Sequence, residues 1–380
     1  MQQKRFILLS YGLALVGYMT LTITLPIVAI IGLQDPAIKT TILSGMAVLF
    51  FAFSLSAIVL SRIADFIGPY KVLLVAQLIS IIGLFTLSFS HSPWTVYAGF
   101  LLMGAGTGCY SSIARLIIST KSTDKAQLRK AFSIFSFAVV IAPFVSSQIA
   151  VHAALYNWRV AYWIMAGIEI ALLLTVNLVL KHENPRPRKM SLFLLIDGYI
   201  YCLKQPIFRL NMLIACIIIA TFMKLFMGSS HQFCMLYLKM SAQNYSLFAA
   251  GLTTCYIMGV LAFRYSLQLV DINKARWFQT ILLLICGIAF MASHVHVVMI
   301  ASVLVACFSL GYHVPLSTSS GIAVIDQHVG AAAALYPFTF SIISCGLSII
   351  EYMIPNVGVV DFMGFSWVCF SLLMLFFIYF

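Results

Sequence analysis

The sequence predicts an all-α integral membrane protein with twelve transmembrane helices arranged as two six-helix halves. Three observations carry that expectation. The 380 residues are 62% hydrophobic and only 8% charged, where soluble domains carry about 25% charged residues, and the mean hydropathy is +1.05. Apolar runs long enough to cross a bilayer, about 20 residues each, follow one another along the whole chain. A basic interruption, KHENPRPRK from Lys181 to Lys189, divides them six and six.

In order, the spans are expected at 6–33, 41–61, 71–90, 94–118, 132–153 and 158–180, then 207–228, 246–264, 277–293, 296–315, 331–352 and 361–380. The first is longer than the apolar core of a signal peptide, about 7 to 15 residues, and is read as a retained helix. Charges and two prolines make 181–189 a loop, and the amphipathic SLFLLIDGYIYCLKQP after it is expected to lie at the interface. The units are therefore 1–180, a basic linker with an interfacial segment at 181–205, and 206–380. Two like halves around a midplane site are a common transporter plan.

Orientation follows from Lys and Arg, which accumulate in loops on the inner side. An inside N-terminus leaves only Lys39, Arg159 and Lys239 outside. The +12 net charge is then a topology signal. Nucleic-acid binding would need the charge clustered in a soluble domain, and none is expected. The first expectation for location is a bacterial inner membrane, with the bilayer as surroundings and a monomeric chain.

Between the second and third spans lies SRIADFIGPYK, read as a loop in which Asp65 accepts at a helix end, Gly68 permits a tight reversal and Lys71 stays inside. This run resembles the signature loop of the major facilitator superfamily. Asp65, Gly68 and Lys71 match it, while Ser61, Phe66, Pro69 and Tyr70 replace a glycine and three basic residues. IAPFVSSQIAVHAALYNWRVAYWI is similar to the antiporter motif of the fifth span and the entry to the sixth. Pro143, Trp158 and Arg159 match; Ala142, Ser146 and Ser147 stand where glycines are usual. GFLLMGAGTGCYSSIARLIIS resembles the fourth span, with Gly104, Gly108 and Arg115 kept and Gly99 and Met103 in place of an arginine and a glutamine. GYHVPLSTSSGIAVIDQHVGAAAALYPF resembles the tenth-to-eleventh-span junction of the Bcr/CflA-like drug-resistance branch. TLTITLPIVAI resembles that branch's first span, with Thr22 where an aspartate is usual.

The resemblance implies secondary transport by alternating access, with efflux of drug-like or metabolite cargo coupled to protons as the first expectation. It also implies that the signature loop gates the two halves. Pro69 and Ser119 take the places of an arginine and its acidic partner, so Asp65 is expected to act instead, with Arg115 as its partner.

Ionisable residues inside spans are costly and by default functional. Lys224 in the seventh span attracts an anionic substrate, pairs with an acid or reaches the outer interface. Glu169 in the sixth suits proton coupling, or packs outside the cavity with a structural role. Glu351 pairs with Lys224 or reaches headgroups, and His231 and His313 titrate in a useful range or bond between helices. Tyr18, Thr22, Thr24, Ser230, Gln232 and Tyr336 supply polar cavity contacts or interhelical bonds.

Nine scattered cysteines without CxxC need neither metal nor disulfide. No P-loop, HExxH, GxSxG or dinucleotide fingerprint appears. No cofactor and no enzymatic activity are expected, and the energy source is an ion gradient, protons first, or the substrate's own. Two other readings stay open: a transporter of a specific organic anion, supported by Lys224, Arg115 and the missing first-span acid, and a receptor or assembly partner that no longer transports.

Overall fold

The computed structural model describes residues 2–24, 26–27, 36–121, 125–154, 156–181, 192–223, 233–266, 271–326, 328–353 and 358–379. Helix is the only regular structure among them. In chain order the helices are α1 (Gln2–Thr22), α2 (Pro36–Ile67), α3 (Pro69–Ser88), α4 (Pro93–Thr107), α5 (Tyr110–Lys121), α6 (Lys125–Ala154) and α7 (Arg159–Leu180), then α8 (Leu192–Lys204), α9 (Pro206–Ala220), α10 (Ala242–Ser266), α11 (Ile272–Ala292), α12 (His296–Ile322), α13 (Val329–Met353) and α14 (Val359–Tyr379). A π-helical turn, Phe233–Tyr237, precedes α10.

Among the described residues eleven stretches are long and apolar enough to span a bilayer, and Phe137–Ala153 of α6 is a further, shorter apolar stretch. The protein is a multi-pass integral membrane protein with the twelve-helix plan expected. Leu78, Ile82, Leu174, Leu178, Phe278, Ile285 and Phe376 are exposed on its flanks. Water would penalise each of them, and hydrocarbon does not.

Two local features differ from the expected spans. The fourth is two helices, α4 and α5, separated at Gly108–Cys109. Ser61–Ile67 is not loop: it continues α2, and the chain reverses at Gly68 alone. Gly68 holds φ 93°, which glycine adopts without the cost of a Cβ, and Pro69 then starts α3 with its φ already helical.

Small residues let the helices approach closely, as membrane packing favours. A Cβ on Gly106 would come within 2.5 Å of Ser80 N, and one on Gly83 within 2.5 Å of Met103 N, which seats α4 on α3. Within the first six spans α1 packs on α5, α6 and α7, and α3 on α4 and α7. Within the last six, α12 packs on α9, α10 and α11, and α11 on α14. The two sets meet where α2 and α5 face α13 and where α6 faces α10 and α12.

Candidate functional site

At that junction Arg115 of α5 is only 3% exposed. Its guanidinium lies 4.7 Å from the Phe135 ring on α6 and 5.7 Å from the Tyr336 ring on α13. Nη2 donates to the Tyr18 hydroxyl on α1 at 3.4 Å, and Nη1 to Ser111 O and Oγ at 3.4 and 3.5 Å. These are long bonds for a charged donor, whose usual range is about 2.7 to 2.9 Å. Tyr18 and Phe53 both pack on Phe340, with ring centroids at 6.1 and 5.9 Å. Arg115 Nε and the hydroxyls of Ser112 and Tyr256 are buried without a hydrogen-bond partner among the described residues. Arg62–Asp65 is the one ion pair among those residues. Arg115 is therefore a buried cation, walled by aromatic rings of both halves and facing no described carboxylate.

A second polar centre lies inside the first six spans. Glu169 on α7 is fully buried. Its Oε1 accepts from Ser80 of α3 at 3.1 Å and from Thr20 of α1 at 3.4 Å, and its Oε2 accepts from Tyr110 of α5 at 3.2 Å. Nearby, Thr24 and Tyr162 share a hydrogen bond at 3.1 Å and Thr22 and Ser146 one at 2.8 Å.

A third centre joins the halves at the end of the bundle that carries Lys71 and Lys204. Asp65 Oδ2 accepts from Arg62 Nη1 at 2.8 Å. The same carboxylate lies against Gly330, where a Cβ would come within 2.7 Å of Oδ1. This is the first turn of α13, whose backbone N–H groups favour an anion. Helix α8 lies across the contact. The Tyr199 hydroxyl donates to Ile58 O at 2.8 Å, Cys202 Sγ donates to His328 O at 3.9 Å, and Gly198 sits between Arg62, Ala331 and His328.

A family model described as Major Facilitator Superfamily matches residues 7–349. The chain belongs to the Major Facilitator Superfamily. Among solved structures, the human organic anion transporter MFSD10 (TETRAN) superposes with a TM-score of 0.74 at 12% identity, over 99% of each chain. At that identity the likeness is one of fold. Multidrug resistance protein MdtG of Salmonella heidelberg (strain SL476) and of Salmonella paratyphi B (strain ATCC BAA-1250 / SPB7) are each 28% identical over 145 residues, 36% of this chain and 33% of theirs. The matched stretch spans about a third of the length of these curated relatives.

In this member of the superfamily, several expected residues are brought together and others are not. The expected Asp65–Arg115 pair is not formed. Arg62 stands one helical turn before Asp65 on the same face and takes the carboxylate, while Arg115 turns inward to Tyr18. Tyr336 walls the Arg115 site, with its backbone oxygen accepting from Cys216 Sγ at 3.3 Å. Ser146 accepts from or donates to Thr22 and donates to Pro143 O at 3.1 Å, and Ser147 is buried. His313 is buried on α12 with Nε2 at 3.1 Å from Thr280, one turn after Arg276, which itself bonds Asn211 at 2.8 Å. Lys71 is exposed. Lys224, His231 and Gln232 lie outside the described residues, and of Glu351 only its place on α13 is described. Sequence reasoning missed Ser80, Tyr110, Phe135 and Arg62. Hydroxyls and rings at this frequency are ordinary in membrane helices, so no pattern singled them out.

Proposed function

We propose that this chain is a secondary transporter that moves a small organic anion by alternating access through the Arg115 site. The observation that carries the reading is the buried Arg115 guanidinium between the two halves, with an orphan Nε and no described acid facing it. An unpaired buried charge is costly, and a bound anion accepting from Nε and Nη would satisfy it with charge-assisted bonds. Phe135, Tyr336, Tyr18 and Phe340 suit a cargo with an aromatic or apolar body. The basic end of the bundle, where Asp65 meets Gly330, is the cytoplasmic end by the Lys and Arg distribution, and a bacterial inner membrane is the location in keeping with the MdtG relatives.

A second reading is efflux of drug-like cargo by a member of the drug-resistance branch. It is favoured by the similarity to MdtG and by the same aromatic walls, which suit varied apolar bodies. The two readings part over charge, since Arg115 repels a cation. The test is uptake and counterflow in proteoliposomes of benzenesulfonate and of tetraphenylphosphonium, comparing wild type with Arg115→Gln. Movement of benzenesulfonate that falls roughly ten- to a hundredfold in the variant, matching a lost charged hydrogen bond of about 1.5 to 3 kcal/mol, supports anion transport. Movement of the cation alone, improved or unchanged in the variant, supports the second reading.

A further inference from the structure

We propose that Glu169 is the proton site of this transporter and that it is geared to anion capture at Arg115 as a symport, through two helices that each touch both groups. On α1, Tyr18 receives the bond from Arg115 while Thr20, two residues on, donates to Glu169. On α5, Tyr110 donates to Glu169 while Arg115 lies five residues later, about 7.5 Å along the axis at 1.5 Å per residue. A change at either group is felt at the other by both elements. The inference rests on the anion reading above.

The hydrogen bonding around Glu169 accommodates both protonation states. Ser80, Tyr110 and Thr20 supply three donors, which suits a carboxylate. Thr20 is divided: its hydroxyl also donates to Val16 O at 2.8 Å, the shorter of its two bonds. When a proton from water arrives on Oε1, the Thr20 hydroxyl keeps Val16 as its acceptor and takes the new O–H on its own oxygen. No helix has to part for that exchange. The titratable groups facing Glu169 are Tyr110 and Cys109 of the fourth span. Helices α1 and α3 present hydroxyls, Thr20 and Ser80, and no other titratable or charged group faces it among the described residues, from α6 or elsewhere.

Charge balance decides between symport and antiport. Arg62, Arg115 and Glu169 are the buried charged residues in the described part of the first six spans, and Arg62 is paired with Asp65. Empty, the remaining two are one cation and one anion, with no net charge. Loaded with an anion at Arg115, the site returns to neutrality only if Glu169 takes up a proton. Anion alone or proton alone leaves a net charge in a low-dielectric interior, which disfavours the half-loaded states. Anion binding therefore raises the proton affinity of Glu169, and by linkage the proton raises anion affinity by the same factor, on the order of tenfold.

The test is proton uptake on binding of benzenesulfonate, whose charge stays fixed so that any proton taken up belongs to the protein. Purified full-length protein in weakly buffered detergent solution with a pH indicator would be titrated over about pH 5 to 9. The expected result is uptake that peaks at about half a proton per anion, the maximum a tenfold linkage gives, in wild type and in Glu169→Asp, and binding without uptake in Glu169→Gln. Should the glutamine variant lack a cooperative thermal transition, Tyr110→Phe decides: it moves the pH midpoint of uptake if the proton sits on Glu169 and leaves it unmoved otherwise. Proton release, binding without proton change in wild type, or uptake that persists in Glu169→Gln overturns the inference and leaves anion transport standing. No binding, or binding indifferent to Arg115→Gln, overturns the anion reading and the inference with it.

Discussion

The Asp65 carboxylate, at the end of a helix in one half, rests on Gly330, at the first turn of a helix in the other. A Cβ at position 330 would reach within 2.7 Å of Asp65 Oδ1. The contact places a negative charge at a helix N-terminus, worth up to about 2 kcal/mol in a partly buried setting, and Arg62 at 2.8 Å holds the carboxylate in place.

Neutralising or displacing that carboxylate should open the junction at this end. Asp65→Asn is expected to weaken the closed arrangement by about 1 to 2 kcal/mol, and Gly330→Ala to act in the same direction by pushing the helices apart. Distances between spin labels at the ends of α2 and α13 are the measurement. An unchanged distribution in both variants would leave Asp65 as a simple helix-end group.

Cys202 reports on the same closure. Burial pushes its thiol up to about 11, against the opposing pull of the Arg62 charge. The thiolate is then scarce below that pH and rises about tenfold per pH unit. Alkylation of Cys202 by N-ethylmaleimide, followed by mass spectrometry of its peptide, is expected to be slow at neutral pH, to accelerate with pH, and to accelerate at fixed pH in Asp65→Asn.

The guanidinium shape, not charge alone, is what the Arg115 site uses. The guanidinium carbon lies over the Phe135 and Tyr336 rings at 4.7 and 5.7 Å, and a lysine ammonium does not reproduce the planar, multi-donor group there. Arg115→Lys is expected to weaken anion binding about tenfold. Equal affinity of the two forms, measured by calorimetric titration with benzenesulfonate, would reduce the site to a point charge.

Close backbone packing of α10 on α12 should tolerate no added carbon. A Cβ on Gly311 would collide with the Tyr256 backbone, and one on Gly259 with the Phe308 backbone. Gly311→Ala is expected to cost about 1 to 3 kcal/mol. Gly167, with nothing within 4 Å of its Cβ position, should accept alanine and gain about 0.5 to 1 kcal/mol of helix stability. Thermal unfolding in detergent compares the two.

Much of the fold was legible because its signal is additive. Every residue of a span votes on hydropathy, so the positions of twelve spans survive single errors. The signature run was legible in composition and not in geometry: Ser61–Ile67 reads as polar punctuation, yet it is the last part of α2, because one glycine in a left-handed conformation suffices to reverse the chain.

The sequence by itself determined that this is a membrane protein of two six-span halves with few charges inside the bilayer, since burying charge in hydrocarbon is too costly to leave the pattern ambiguous. Tertiary structure alone decided which partner each charge meets. Arg62 and not Arg115 holds Asp65; Tyr18, Phe135 and Tyr336 surround Arg115; Thr20, Ser80 and Tyr110 surround Glu169. Those partners come from separate helices, and no local pattern in one span specifies which face a distant span will turn towards it.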